Sequence, residues 1–413
     1  MRSIFQTAVL SLLLPVAMLG AQARATATPA FDAIRLARID SMVIRLVAQQ
    51  KLPGAVVMLV TDGAVTYHKA FGYRDMATKT PLRRDDIFRI ASQSKAITSL
   101  AAMMLWEEGK FQLDEPIATY LPEFEKPVVL DTFNPKDSTY TTKPAKRKTT
   151  VRQLFTHTSG IDYADIGSDE MKAIYAKAGV TAIGREGDVL AERVRALAGL
   201  PLRMEPGERF IYSLSVDVLG RLVEVWSGMP LDQFVRTRIL TPLDMRDSGF
   251  ELPGDRRGRL VTLHSEQDGV LSPMKESQGG MHPDFPARRM TYFAGGAGMS
   301  GTTADYARFL QLFMNGGELD GVRLLSRKTV ELMLTNQIPR LSPAFGLGFA
   351  LETPDNDYRN VISDGSFYWS GAFNTFYWAD PKEKLIGLIY TNVIGSTANI
   401  GERFRVLVYS AMR

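Results

Sequence analysis

Strand-type runs lie near both ends of this 413-residue chain, and a long stretch of helical period separates them. A strand carries backbone donors and acceptors that need partners, so the two ends are expected to meet in one sheet. Near the start, the β-branched run at 55–60, the turn Asp62-Gly63 and the return at 65–71 predict a hairpin. Towards the end, short apolar or aromatic runs at 346–351, 358–363, 372–378 and 385–391 predict a meander. Asp380-Pro381-Lys382-Glu383 is the turn between the last two. Helices bracket both regions. Ile34, Leu36, Ile39, Met42, Val43 and Leu46 repeat at helical spacing within 31–50, and a closing helix spans 399–412.

Between these ends, residues 150–245 read as mainly helical. Leu190, Val194 and Leu197 form one stripe. Ser215 is placed to cap a helix striped by Leu219, Leu222, Val223 and Trp226. Thr302 or Thr303 caps another, with Tyr306, Phe309, Leu310 and Phe313 on one face. Residues 113–148 are Pro- and Thr-rich and read as an irregular surface excursion, and 253–290 is polar without a period. The order predicts an α+β fold: an antiparallel sheet flanked by N- and C-terminal helices, with a mainly helical lobe inserted. Residues 30–110 and 291–413 would form the discontinuous sheet lobe and 111–290 the helical lobe, with a site in the cleft between them.

Composition removes several classes of chemistry. With no cysteine there is no disulfide, thiolate metal site or thiol nucleophile. The four histidines, His68, His157, His264 and His282, never fall at a His-x-x-x-His spacing, so no metal is expected. Net charge is only +4, and its densest cluster, Lys143 to Lys148, reads as a solvated loop, so no nucleic-acid partner is expected. Arg2, the apolar run 8–19 and the small-x-small string Ala21-Gln22-Ala23 predict a secretory leader cleaved near Ala23. The expected mature protein is periplasmic or secreted, without a stable membrane anchor.

Nucleophilic chemistry remains. No Gly-x-Ser-x-Gly occurs, so a nucleophile elbow is out. A serine can also be activated by a lysine three residues on, since the two share a helix face. Burial makes such a lysine readier to lose its proton, which predicts a base. Two Ser-x-x-Lys strings occur. Ser92-Gln93-Ser94-Lys95 opens an amphipathic helix carried by Ile97, Leu100, Ala101 and Met104, and Ser272-Pro273-Met274-Lys275 lies in a polar segment. Only the first has a helix start.

Ile90-Ala91-Ser92-Gln93-Ser94-Lys95 resembles the active-site helix of the class C beta-lactamase-like serine hydrolases. That superfamily holds DD-peptidases, class C beta-lactamases and family VIII carboxylesterases. Leu52-Pro53-Gly54, Gly72-Tyr73-Arg74-Asp75, the run Leu154 to Gly160, Pro206 to Ser213 and Gly295 to Met299 are similar to its landmarks, in order along nearly the whole mature chain. The resemblance implies a beta-lactamase/DD-peptidase-like fold and no cofactor. It implies Tyr212 as the second catalytic group beside Lys95, a role in competition with that of a plain core tyrosine. Trp369-Ser370-Gly371 matches the family's substrate-lining Lys/His-Thr/Ser-Gly strand, and the N–H groups of Ser92 and Ala372 would form the oxyanion hole. Two departures stand out: Leu214 replaces an Asn, and Trp369 replaces a cation that attracts the substrate carboxylate. Trp-x-Gly is similar to the family VIII esterases, so a small neutral ester is the expected substrate. Beta-lactam hydrolysis, D-Ala peptide cleavage, acyl transfer to an alcohol and a non-catalytic ligand-binding role are the alternatives. His157 reads as a residue holding a turn, Ser94 and Ser159 as secondary polar candidates, and Gly295 to Gly298 as a tight crossing, not a phosphate cradle.

Overall fold

The computed structural model describes residues 31–184, 187–274, 282–288 and 290–413. The leader read at 1–23 and Lys275 lie outside the described residues.

Strand β1 (Gly54–Thr61) is buried along its whole length, as its unbroken apolar run requires. Side chains alternate across a strand, so its residues serve two cores. Ala55, Val57 and Leu59 pack with Ile39, Met42, Val43 and Leu46 of helix α1 (Arg38–Ala48). Val56, Met58 and Val60 join Ile97 and Leu100 of helix α2 (Ser94–Glu107) on the other side. Each buried Val, Leu, Ile or Met side chain among these contributes about 1.5–3 kcal/mol, which makes β1 the spine of the sheet. Strand β2 (Ala64–Asp75) returns antiparallel beside it, with β3 (Thr80–Pro81) at that edge.

Helix α2 is buried on nearly every side, with each residue from Ser94 to Leu105 shielded. The expected single apolar face understates this, because sheet and helical layers pack on it from opposite directions. A β-hairpin follows where an irregular excursion was expected: β4 (Val128–Asn134) pairs with β5 (Thr139–Pro144). Every residue of β5 is exposed, so that strand lacks the apolar face that betrays a strand in a sequence. Helices α3 (Asp169–Lys177), α4 (Leu190–Ala198) and α5 (Ser215–Ser227) follow, with the expected stripes buried. Ser215 is not the cap of α5. Leu214 holds that position, and the Ser215 hydroxyl instead bonds Ser159 and Ser213, each at 2.7 Å.

Within 253–290, β6 (His264–Gln267) and β7 (Val270–Pro273) form a second short hairpin. Thr302 caps α6 (Thr303–Met314) by accepting from the Asp305 N–H, as its position predicts. The meander comprises β8 (Ala350–Leu351), β9 (Phe367–Gly371), β10 (Thr375–Asp380) and β11 (Leu385–Tyr390). The run at 358–363 is no strand but a 3-10 turn and loop, with Tyr358 and Val361 in solvent. Strand β11 pairs antiparallel with β1, Val56 opposite Tyr390. The seven-stranded order is therefore β8-β9-β10-β11-β1-β2-β3, and chain start and chain end meet at its centre. Helix α7 (Ile400–Ala411) packs with α1 on the outer face through Phe404 and Val408.

Candidate active site

Ser92 sits in a 3-10 turn, Ala91–Gln93, that runs straight into α2. Ala91 is held in the left-handed region at φ 45°, a conformation that costs a side-chain-bearing residue about 1–2 kcal/mol. The Ser94 hydroxyl donates to the Ala91 carbonyl at 2.6 Å and accepts from the Met299 N–H at 3.1 Å. Ser94, a secondary candidate by sequence, is therefore a fully buried brace behind the turn. Ser159 likewise spends its hydroxyl on Ser215 and the Ile161 N–H.

Lys95 lies one helical turn beyond Ser92, with Nζ 3.4 Å from the Ser92 Oγ. The same ammonium donates to the Gly296 carbonyl at 2.8 Å and reaches the Tyr163 hydroxyl at 3.5 Å. It stands 4.6 Å from the ring centre of Tyr212. Behind it, the Gly296 N–H donates to Asp217 Oδ1 at 3.2 Å, so one glycine residue links the lysine to a buried carboxylate. A Cβ on residue 296 would lie 2.6 Å from Asp217 Oδ2 and 3.3 Å from Lys95 Nζ, so the close approach requires glycine there. The run Gly295 to Gly298 is thus a tight crossing against α2 and α5.

The electrostatics overturn one expectation. Burial does work to lower the Lys95 pKa, but Tyr163, Tyr212 and Asp217 act the other way and outweigh it. Lys95 therefore stands above the ordinary lysine value and is an ammonium at neutral pH. Burial pushes the Asp217 carboxyl up to about 6, with Lys95 opposing, so Asp217 is charged above that pH. Burial also raises Tyr163, against the pull of Lys95. Tyr163 and Asp217 were not singled out in the sequence. Each comes from a segment remote from Lys95, and neither spacing nor periodicity links them to it.

Tyr212 approaches from the segment before α5. Its ring stacks on Tyr163 with centres 5.4 Å apart. Its hydroxyl accepts from Trp369 Nε1 at 3.3 Å. The indole is braced edge-on by Phe345 at 5.4 Å. Trp369 thus presents its ring as a wall and turns its N–H towards Tyr212. Strand β9 then carries Ser370, half-buried, and ends at Gly371. A Cβ at Gly371 would run into the Ile90 carbonyl and Thr375 Oγ1, so the strand end is pressed against the turn that holds Ser92. Ala372, next in the chain, is exposed. The structure thus brings Ser92, Lys95, Tyr212 and Trp369 together, with Ser370, Gly371 and Ala372 alongside. Among the described residues, no cluster of three His, Asp or Glu could hold a metal ion.

Comparisons with known proteins give the family. The Beta-lactamase family profile matches residues 39–409. Protein Rv1367c of Mycobacterium tuberculosis is 35% identical over 358 residues, covering 82% of this chain and 85% of its own length. Esterase EstB of Burkholderia gladioli is 30% identical over 376 residues, covering 87% of this chain and 91% of its own. Among solved structures, EstCE1, a hydrolase with promiscuous acyltransferase activity, superposes with a TM-score of 0.78 at 26% identity, over 91% of this chain and 99% of that one. With the profile spanning almost all of the described chain, this protein belongs to the beta-lactamase family and is one of its serine hydrolases.

Proposed function

We propose that this chain is an exported esterase that cleaves small neutral esters through an acyl-enzyme on Ser92. The observation that carries this reading is the hydrogen bond from Trp369 Nε1 to the Tyr212 hydroxyl. At the strand position where the resemblance puts a carboxylate-binding cation, this chain offers an apolar ring whose single N–H is already engaged. An ester without a carboxylate suits such a wall. The name of its relative EstB supports the same class.

Tyr212, acting as its phenolate, takes the Ser92 proton while Ser92 Oγ bonds to the ester carbonyl carbon. The lysine is a poor acceptor because it already carries its proton. Its ammonium and the Trp369 N–H instead stabilise the phenolate of Tyr212 before it takes the proton. The N–H groups of Ser92 and Ala372 receive the oxyanion. The intermediate collapses, the C–O bond to the alcohol breaks, and Tyr212 returns the proton to the leaving oxygen. Water then repeats the sequence and frees the acid. An alcohol in place of water would give acyl transfer, a second reading favoured by the acyltransferase activity named for EstCE1.

Intact-mass analysis after mixing with p-nitrophenyl butyrate and, separately, benzylpenicillin tests this, beside Ser92→Ala. Ester turnover with a transient acyl adduct on Ser92 and no penicilloyl adduct is expected. A penicilloyl adduct on Ser92 would return the chain to beta-lactam recognition, and full turnover by Ser92→Ala would sink the mechanism. Failure of a fluorophosphonate probe to label the chain would favour a non-catalytic role. Export rests on the leader at 1–23, and N-terminal sequencing of the mature protein checks it. Among the described residues, no helix is long and apolar enough to cross a membrane.

A further inference from the structure

His157 stands outside the chemistry just described, yet it holds Tyr212 from both sides. Its carbonyl accepts from the Ile211 N–H at 2.8 Å. Its Nδ1 accepts from the Ser213 N–H at 3.2 Å and lies 3.0 Å from the Ser213 hydroxyl. Tyr212 is therefore the one residue between two backbone hydrogen bonds to a single partner. The imidazole also lies against the Tyr212 ring, with centres 4.7 Å apart. Phe210 and Phe345 close around it at 5.7 and 5.6 Å. Phe345 in turn braces Trp369, the donor to the Tyr212 hydroxyl.

Three features separate this from an ordinary turn residue. His157 is buried, so its bonds do not compete with water. Its backbone is left-handed at φ 54°, a region uncommon for any residue but Gly. Its Nδ1 accepts a backbone N–H, which requires the neutral ring with the proton on Nε2. Burial first, and the nearby Lys95 charge second, push its pKa well below the ordinary histidine value and keep it neutral.

We infer that His157 is a positioning residue for Tyr212, which fixes the phenol against Lys95 and Trp369 without touching substrate. This rests on Tyr212 being the base, and a double-mutant cycle on the full chain separates the two ideas. The variants are His157→Gly, which keeps the backbone conformation and removes the imidazole, and His157→Asn, which keeps an acceptor near the Nδ1 position. With p-nitrophenyl butyrate, His157→Gly is expected to lower kcat by about 30-fold with KM within about twofold, the scale of a misplaced catalytic group. His157→Asn should recover most of that loss. In a Tyr212→Phe background the glycine change should cost less than about twofold, because the group it positions is gone. Equal losses in both backgrounds, or an Asn variant no better than Gly, would overturn the inference while leaving Tyr212 as the base. Full activity of Tyr212→Phe alone would instead overturn the proposed mechanism. If His157→Gly does not fold, the same cycle is run with His157→Gln, whose acceptor sits one carbon further out. A loss confined to the wild-type background is again expected.

Discussion

Ser92 and Ser272 each precede a lysine by three residues, and the difference between their surroundings explains why only one can be a nucleophile. Ser92 opens a helix, so the lysine side chain comes round to the same face and stops 3.4 Å from its hydroxyl. Ser272 is exposed on a strand, β7, and so opens no helix that could bring a partner round to its face. Burial adds the second difference. Lys95 is 3% exposed and meets two phenols and a carboxylate that hold its charge. The motif supplies two groups at one spacing. Chemistry needs the helix that faces them together and the low-dielectric shell that sets their charge states.

The widest gap between the two strings should appear on deletion. Ser92→Ala is expected to lower kcat for p-nitrophenyl butyrate by about 10³-fold or more. Retained turnover would remove Ser92 from the mechanism.

Next in size is the shell. Asp217→Asn removes the carboxylate behind Lys95 and should cost about 10- to 100-fold in kcat. In the wild type, Asp217 is charged above about pH 6 and neutral below, so activity should fall as pH drops through 6. A pH profile of the Asn variant should lack that limb. A limb that persists unchanged would assign it to another group.

Gly371→Ala forces a methyl against the Ile90 carbonyl beneath the Ser92 turn. It should cost about 1–3 kcal/mol of stability, read from chemical denaturation, with a smaller fall in kcat than Asp217→Asn. Wild-type stability would show that the turn yields.

Burial alone does not make a site, and Glu352 tests that limit. It is 2% exposed, with Oε1 unpartnered among the described residues, and burial raises its carboxyl to about 7. The folded-state value lies above the ordinary 4.5, so the folded chain holds the proton more tightly. Stability is therefore lost as pH rises from about 4.5 to 7. Glu352→Gln should gain about 1–3 kcal/mol relative to wild type between pH 5 and pH 8, with turnover unchanged. An equal difference at both pH values would refute this. Smallest of all, Ser272→Ala should alter neither stability nor kcat beyond error.

The fold was legible where a buried face imprinted a period. Strand β1 and helix α5 lie where their apolar runs predict. The β4–β5 hairpin was not legible, because the Thr-rich β5 is exposed throughout and β4 fully buries only Val129, which leaves no alternation to read. The run at 358–363 failed in the opposite sense. Its apolar residues look strand-like, yet it bends into a surface loop whose Asn360 donates to Glu352 instead of joining β9.

The candidate site divides in the same way. Ser92 and Lys95 are neighbours through one turn of helix, a relation that spacing expresses by itself. Trp369 and Tyr212 touch across 157 positions, and Tyr163 reaches Lys95 across 68. Such contacts have no local signature and exist only because β9, α2 and the segment before α5 converge. The charge on Lys95 depends on the same convergence. From its sequence alone it reads as a desolvated lysine ready to lose its proton. In the folded chain, partners from three other segments hold the proton on, because charge in a buried site answers to everything within a few ångströms, however distant along the chain.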